Sequence, residues 1–173
     1  MKTRIGLMAI LVATWAGAFA QLVQAPAELK KLDWLLGTWE GKVAWTMPGM
    51  SGDSTMTMKS EWDGAFFKSV STTDMGGMKS VETGYGWYDK DKKLYKFCTF
   101  TNFAPTPRFE SGTFENDTLT MVSDPWETGM PGPATVARAT MVKKSATEAT
   151  FMLEFKNGDK WDKVAEGKFL KKK

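Results

Sequence analysis

The polar and apolar residues of this chain alternate with a period of two over most of its length, after a short stretch with helical spacing. The segment LDWLLGTWEG contains the change. Leu29, Leu32, Leu35 and Leu36 fall on one face of a helix, which the following glycine ends. Over residues 38–47, tryptophan, glycine, valine and methionine alternate with mostly polar residues, as in a strand with one apolar face. The pattern predicts a short N-terminal helix that leads directly into a first strand.

The rest of the chain repeats this strand pattern. Runs rich in aromatic and β-branched residues are separated by turn signals such as WDGA, DMGGM and YDKDKK. The last turn signal, FKNGDK, contains Asn157-Gly158, which suits a two-residue hairpin. The sequence therefore predicts an all-β fold with about ten short antiparallel strands.

About ten antiparallel strands in chain order favour closure, because an open sheet of this kind exposes two edges. A barrel of roughly ten strands is also wider than one that its own side chains can fill. We therefore expect an up-and-down β-barrel with an internal cavity. Two proline-rich loops, NFAPTPR and SDPWETGMPGPA, are expected at one end of the barrel, where binding loops collect.

The predicted wall of this cavity consists of strand residues that are aromatic or otherwise apolar, together with one arginine. These candidate ligand-binding residues are Trp45, Met56, Trp62, Phe67, Tyr85, Trp87, Phe97, Arg138 and Phe151. The alternative is that the same aromatic side chains fill the interior as a solid core.

Arginine is rare in this lysine-rich chain, so each arginine is a candidate for a specific contact. Arg138 shares a strand face with Val136 and Val142, which allows an inward position as the anchor of an acidic ligand. The alternative is an outer position beside a carboxylate, because a buried unpaired charge is costly.

Methionine clusters suggest a second function, since thioethers are soft ligands that suit Cu(I). The candidate copper ligands are Met47, Met50, Met56, Met58, Met75 and Met78. The alternative is ordinary packing, because methionine fills irregular apolar spaces well.

The first twenty residues have the pattern of a secretory signal peptide. Lys2 and Arg4 precede an apolar run that is short for a membrane span, and Ala18-Phe19-Ala20 offers a cleavage site before Gln21. We therefore expect residues 21–173 to form one exported domain, periplasmic or secreted, with no membrane span after cleavage.

The amino-acid composition excludes several kinds of catalytic site, metal site and cross-link. The chain has no histidine, which removes Ser-His-Asp catalysis and zinc or haem held through imidazole. Cys98 is the single cysteine, so no intramolecular disulfide can form. After cleavage, basic and acidic residues nearly balance, which gives no reason to expect nucleic-acid binding. We assign no catalytic residue, metal or cofactor, although carboxylate or tyrosine catalysis remains open.

Three segments resemble known barrel proteins. LLGTWEG resembles the Gly-x-Trp start of lipocalins, fatty-acid-binding proteins and nitrobindins, in which a short helix flanks the barrel and the tryptophan packs at its closed end. LDWLLGTWEG, GYGWYDKDKKLY and SGTFENDTLTM are together similar to a family of exported bacterial barrels of unknown function. The resemblance implies a cation over Trp39 from the last strand, here Lys168, and an interior arginine that holds an acidic ligand. Nitrobindins hold haem through a histidine, which this chain lacks.

The sequence thus predicts an exported, lipocalin-like (calycin) binding protein that holds a small hydrophobic or amphipathic molecule non-covalently in a barrel. A methionine-based Cu(I) protein and an enzyme of unrecognised type are the alternatives. The pattern makes no prediction of oligomeric state.

Overall fold

The computed structural model describes residues 24–47, 50–75, 77–129 and 132–173. The predicted signal peptide, residues 1–20, lies outside them. The described chain contains one short helix, one 3-10 helix and ten strands. They are α1 (Ala27–Lys30), the 3-10 helix (Asp33–Leu35), β1 (Gly37–Met47), β2 (Met50–Asp63), β3 (Phe66–Met75), β4 (Met78–Asp89), β5 (Leu94–Thr101), β6 (Arg108–Glu115), β7 (Thr118–Ser123), β8 (Ala137–Lys143), β9 (Glu148–Asn157) and β10 (Lys160–Lys171).

The ten strands form a closed antiparallel barrel in which each strand pairs with its neighbours in the chain. The barrel closes where β10 pairs with β1, from Trp39 opposite Lys171 to Trp45 opposite Ala165. The predicted up-and-down barrel with a short N-terminal helix is confirmed. Because β1 pairs with β10 as well as with β2, neither β1 nor β10 is an open edge. We call the β1–β10 pairing the seam.

The N-terminal segment closes one end of the barrel. The predicted leucine stripe is buried, with Leu29, Leu32 and Leu35 all inside. The Tyr95 hydroxyl donates a hydrogen bond to the Glu28 carbonyl oxygen at 2.7 Å. The leucines pack against inward side chains near the ends of three strands, β3, β5 and β7, and we call this group the floor. Its barrel residues are Phe67, Tyr95, Leu119 and Met121.

Trp39 joins the floor to the first strand. Its indole is fully buried, and Nε1 donates to the Leu35 carbonyl oxygen at 2.9 Å. The ring meets the Trp34 ring edge to face, with 6.0 Å between centroids. The cation over the indole is Lys171, whose Nζ lies 5.4 Å from the ring centroid. The prediction of Lys168 was wrong, because that side chain points outward to an ion pair with Glu148.

The other end of the barrel carries the β1–β2, β3–β4, β5–β6, β7–β8 and β9–β10 connections. The predicted tight hairpin between the last two strands is present, with Gly158 at a φ of 60°. Both proline-rich loops lie at this end, which we call the mouth.

None of the helices in the described part of the chain has the length and apolarity needed to cross a membrane.

Candidate ligand-binding cavity

Between the floor and the mouth, the barrel contains a cavity of about 360 Å³. Inward side chains from the strands form its wall, and residues of the two proline-rich loops form its rim. The rim residues are Phe103, Trp126, Thr128 and Gly129. A space of this size lies at the lower end of the range of small-molecule sites, roughly 300 to 1,000 Å³.

One side of the cavity wall is apolar. It is built by β1, β2, β8, β9 and β10, on which inward positions alternate with outward ones. Trp45 lies on this side, and its indole Nε1 donates a hydrogen bond to Ser54 Oγ. The other apolar wall residues are Met47, Met56, Met58, Ala137, Ala139, Met141, Phe151, Leu153, Phe155 and Phe169.

The opposite side of the wall, on β3 to β6, is mostly polar. Its inward positions carry small hydroxyl side chains and one carboxylate, with the ring of Phe97 below them. The polar wall residues are Ser69, Ser71, Thr73, Ser80, Glu82, Thr99 and Arg108. The cavity therefore offers a hydrocarbon surface on one side and hydrogen-bonding groups on the other.

Three charged residues meet at the polar side, and we call them the charge cluster. Arg108 Nη2 lies 3.5 Å from Glu82 Oε2, and Arg108 Nε lies 3.3 Å from Glu110 Oε1. Thr99 Oγ1 donates to the second Glu110 oxygen, Oε2, at 3.1 Å. The Nε–H of Arg108 nevertheless has no hydrogen-bond acceptor in good geometry among the described residues. The arginine is therefore charge-compensated but not saturated with hydrogen bonds.

Burial sets the protonation behaviour of this cluster. The Glu110 side chain is 8% exposed, and burial, reinforced by the charge of Glu82, raises its pKa although Arg108 acts in the opposite direction. Burial by itself lowers the pKa of Arg108, but the two carboxylates outweigh it and raise that pKa above its ordinary value. The two carboxylates keep Arg108 charged, and burial favours the protonated form of Glu110.

Trp126 holds the rim above the charge cluster. The Arg108 guanidinium carbon lies 5.0 Å from its ring centroid, and Trp126 Nε1 donates to the Thr106 carbonyl oxygen at 3.2 Å. These contacts tie the two rim loops together over the start of β6. Gly129 allows a close approach between the loops, since a Cβ there would lie 1.9 Å from the Phe103 carbonyl oxygen.

Six of the nine residues predicted for the wall point inward. Trp45, Met56, Phe97 and Phe151 line the cavity. Trp62 and Phe67 also point inward. Phe67 belongs to the floor, and Trp62 packs against the floor and donates from Nε1 to Asp33 Oδ1 at 3.1 Å. These two side chains plug the closed end and do not reach the cavity.

Tyr85 and Trp87 lie on the outer face of β4, so the expected inward position was wrong. Their neighbours Gly84 and Gly86 are the inward residues of that strand. A Cβ on Gly86 would lie 2.5 Å from the Phe97 ring, so this inward position must stay empty to admit the ring. The aromatic residues consequently occupy the outer positions, where Lys68 Nζ lies 5.8 Å from the centroid of Tyr85.

Arg138 also points outward, so the alternative of an outer ion pair is correct. Its guanidinium donates to both oxygens of Glu154, at 2.6 and 2.8 Å, and stacks over Trp161 at 4.4 Å. The interior arginine is Arg108, which sequence reasoning did not select. Arg108 and Glu110 are alternate residues of one strand directly after a proline-rich loop, which indicates that they share a face but not that this face points inward.

The candidate copper ligands are only partly brought together. Met47, Met56 and Met58 line the apolar wall. The side chains of Met50, Met75 and Met78 lie outside the described residues. Across residues 24–47, 50–75, 77–129 and 132–173, no three cysteine, aspartate or glutamate side chains converge as a metal-binding group. The three described methionines act as wall residues.

Among solved structures, this barrel is similar to that of Rv2717c from M. tuberculosis. The TM-score is 0.61 and the sequence identity 14%, over 87% of this chain and 100% of that chain. No protein-family model and no curated protein matches the sequence. At this identity the likeness concerns the fold alone, which is a calycin-like barrel in the general sense.

Proposed function

We propose that this protein is an exported, lipocalin-like carrier that holds one small amphipathic molecule non-covalently inside its barrel. The observation that carries the proposal is the cavity of about 360 Å³ with one apolar and one polar wall. An amphipathic guest would place its hydrocarbon part against Met56, Met58 and Phe151, and its polar head near Arg108.

The two ends of the barrel support this role. The floor is sealed by Leu29, Leu32 and Leu35, which are buried. Within the described parts of the chain, the mouth is covered by loop segments, and Phe103 on the rim is 38% exposed. Loops move more easily than a packed floor, so a guest would enter past the rim.

The finer kinship to lipocalins or fatty-acid-binding proteins is part of the proposal and rests on the Gly-x-Trp start and on the barrel. Haem held through a protein histidine is not included, because the chain has no histidine. Export rests on the pattern of residues 1–20.

An uncharged apolar dye such as N-phenylnaphthylamine should bind the protein. We expect dye emission to rise and tryptophan emission to fall during a titration, because Trp45 and Trp126 line the cavity. Ala139→Phe should weaken dye binding by about ten-fold or more, equivalent to about 1.4 kcal/mol, because Ala139 lies on the cavity wall and a larger side chain would occupy the space.

Thr140→Phe is the matched control, since Thr140 is the next residue of β8 and lies on the outer face. It should bind the dye as the unmodified protein does. Absence of binding to the unmodified protein would contradict the proposal, as would an equal affinity in Ala139→Phe.

A further inference from the structure

The charges around the cavity are unbalanced. Among the described cavity-lining residues, Glu82 and Arg108 are the charged ones. Glu110 does not line the cavity but contacts Arg108. With both carboxylates ionised, the cluster carries one more negative than positive charge. Charges in such a site interact strongly, because the surroundings have a low effective dielectric constant.

Glu82 is the carboxylate that a guest can reach. Its side chain is 27% exposed, against 8% for Glu110. The single contact to Arg108 Nη2, at 3.5 Å, is at the limit of a hydrogen bond and engages only Oε2. Among the described residues, Glu82 Oε1 has no hydrogen-bond donor. Glu82 therefore presents to the cavity an acceptor oxygen that no described residue engages.

We propose that the cavity selects a cationic head group, such as a primary ammonium, which donates to Glu82 and adds the missing positive charge to the charge cluster. This inference rests on the proposed carrier function and specifies the class of its guest. The apolar wall would hold the hydrocarbon part of the same amine.

An anionic head group fits the cluster poorly. A carboxylate placed beside Arg108 would be the third carboxylate around one guanidinium, and its burial would lack a matching charge. Arg108 is also already covered by Trp126 on the rim side.

Three ligands with carbon skeletons of equal length separate the possibilities: decylamine, decanol and decanoate, titrated at neutral pH by calorimetry or by displacement of the dye. We expect decylamine to bind at least about ten-fold more tightly than decanoate, with decanol between them. Glu82→Gln should reduce the advantage of decylamine over decanol by about ten-fold and leave the affinity for decanol nearly unchanged.

Glu154→Gln is the matched control, because it neutralises a carboxylate that is also paired with an arginine but lies on the outer wall. It should leave all three affinities unchanged. Decanoate binding as tightly as decylamine, or an unchanged amine preference in Glu82→Gln, would overturn the inference while leaving the carrier function intact. Failure of all three ligands to bind would overturn both.

Discussion

Replacing Arg108 by methionine should destabilise the folded protein by about 3 to 5 kcal/mol at neutral pH, as expected when a buried charge loses its partner. Arg108 is 15% exposed and is the positive charge between Glu82 and Glu110. Methionine retains much of the hydrocarbon packing but leaves the buried Glu110 carboxylate without compensation. Urea denaturation at pH 7 would measure the loss of unfolding free energy.

The pH dependence of this loss follows from Glu110. Its folded-state pKa is already raised by burial, and removal of the arginine would raise it further. Below the unfolded-state pKa of about 4.3, Glu110 is neutral in both the folded and the unfolded protein, and its stability contribution is fully present. As pH rises through the higher folded-state pKa, ionisation disfavours the folded protein and this contribution is lost. The deficit of Arg108→Met should therefore shrink between pH 7 and pH 4.

Two further variants make this result specific. Arg108→Met with Glu110→Gln should recover most of the lost stability, because both buried charges are then removed together. Arg138→Met on the outer wall should cost less. The Glu154 carboxylate left behind is only 10% exposed, but Arg138, which is 31% exposed, covers it on the outer face, so the truncation opens it to water. An Arg108→Met protein with unchanged stability, or a double variant no more stable than the single one, would contradict the claim that Arg108 compensates the buried charge of Glu110.

Replacing Trp39 by alanine should cost about 3 to 5 kcal/mol, the range for a buried aromatic side chain. Trp39 is fully buried, donates to the Leu35 carbonyl oxygen and lies beneath Lys171. Its loss removes the contact between the floor and the barrel seam. Most single domains are stable by only about 5 to 15 kcal/mol, so this variant should unfold at a much lower urea concentration.

Trp161→Ala is the matched comparison for Trp39→Ala. Trp161 stacks with Arg138 on the outer wall, and its removal should cost only about 1 kcal/mol. Equal losses in the two variants would show that Trp39 has no special structural role.

The strands and the N-terminal closure were predictable because their signals are local. Leu29, Leu32 and Leu35 have helical spacing, Gly37 follows, and Trp39 starts a clear alternation. Turn residues then mark each hairpin. A chain of hairpins with no long helical pattern between its strands has few arrangements other than a meander that closes on itself.

The direction of the side chains on β4 was not predictable in this way. The apolar positions of a strand are expected to face the interior, but the inward residues of β4 include Ser80, Glu82 and Gly84. A cavity with one polar wall reverses the usual alternation on the strands that form it. The aromatic Tyr85 and Trp87 are therefore on the outside.

The choice between the two arginines depended on information that no local pattern contains. Arg138 is held outside by Glu154, its partner across the β8–β9 pairing. Arg108 is held inside by Glu82 from β4 and Glu110 from its own strand. Which carboxylate faces which arginine is set by the register between strands, and the sequence alone does not provide it.

The most direct test of the central claim, that the barrel interior is open to a guest, is a decanol titration followed by NMR of protein labelled at the methionine methyl carbons. We predict that the methyl signals of Met56, Met58 and Met141, which line the cavity, shift together and saturate. The signal of Met152, on the outer face of β9, should stay in place. Unchanged signals from the three cavity methionines, or a larger shift at Met152, would contradict a ligand-binding interior.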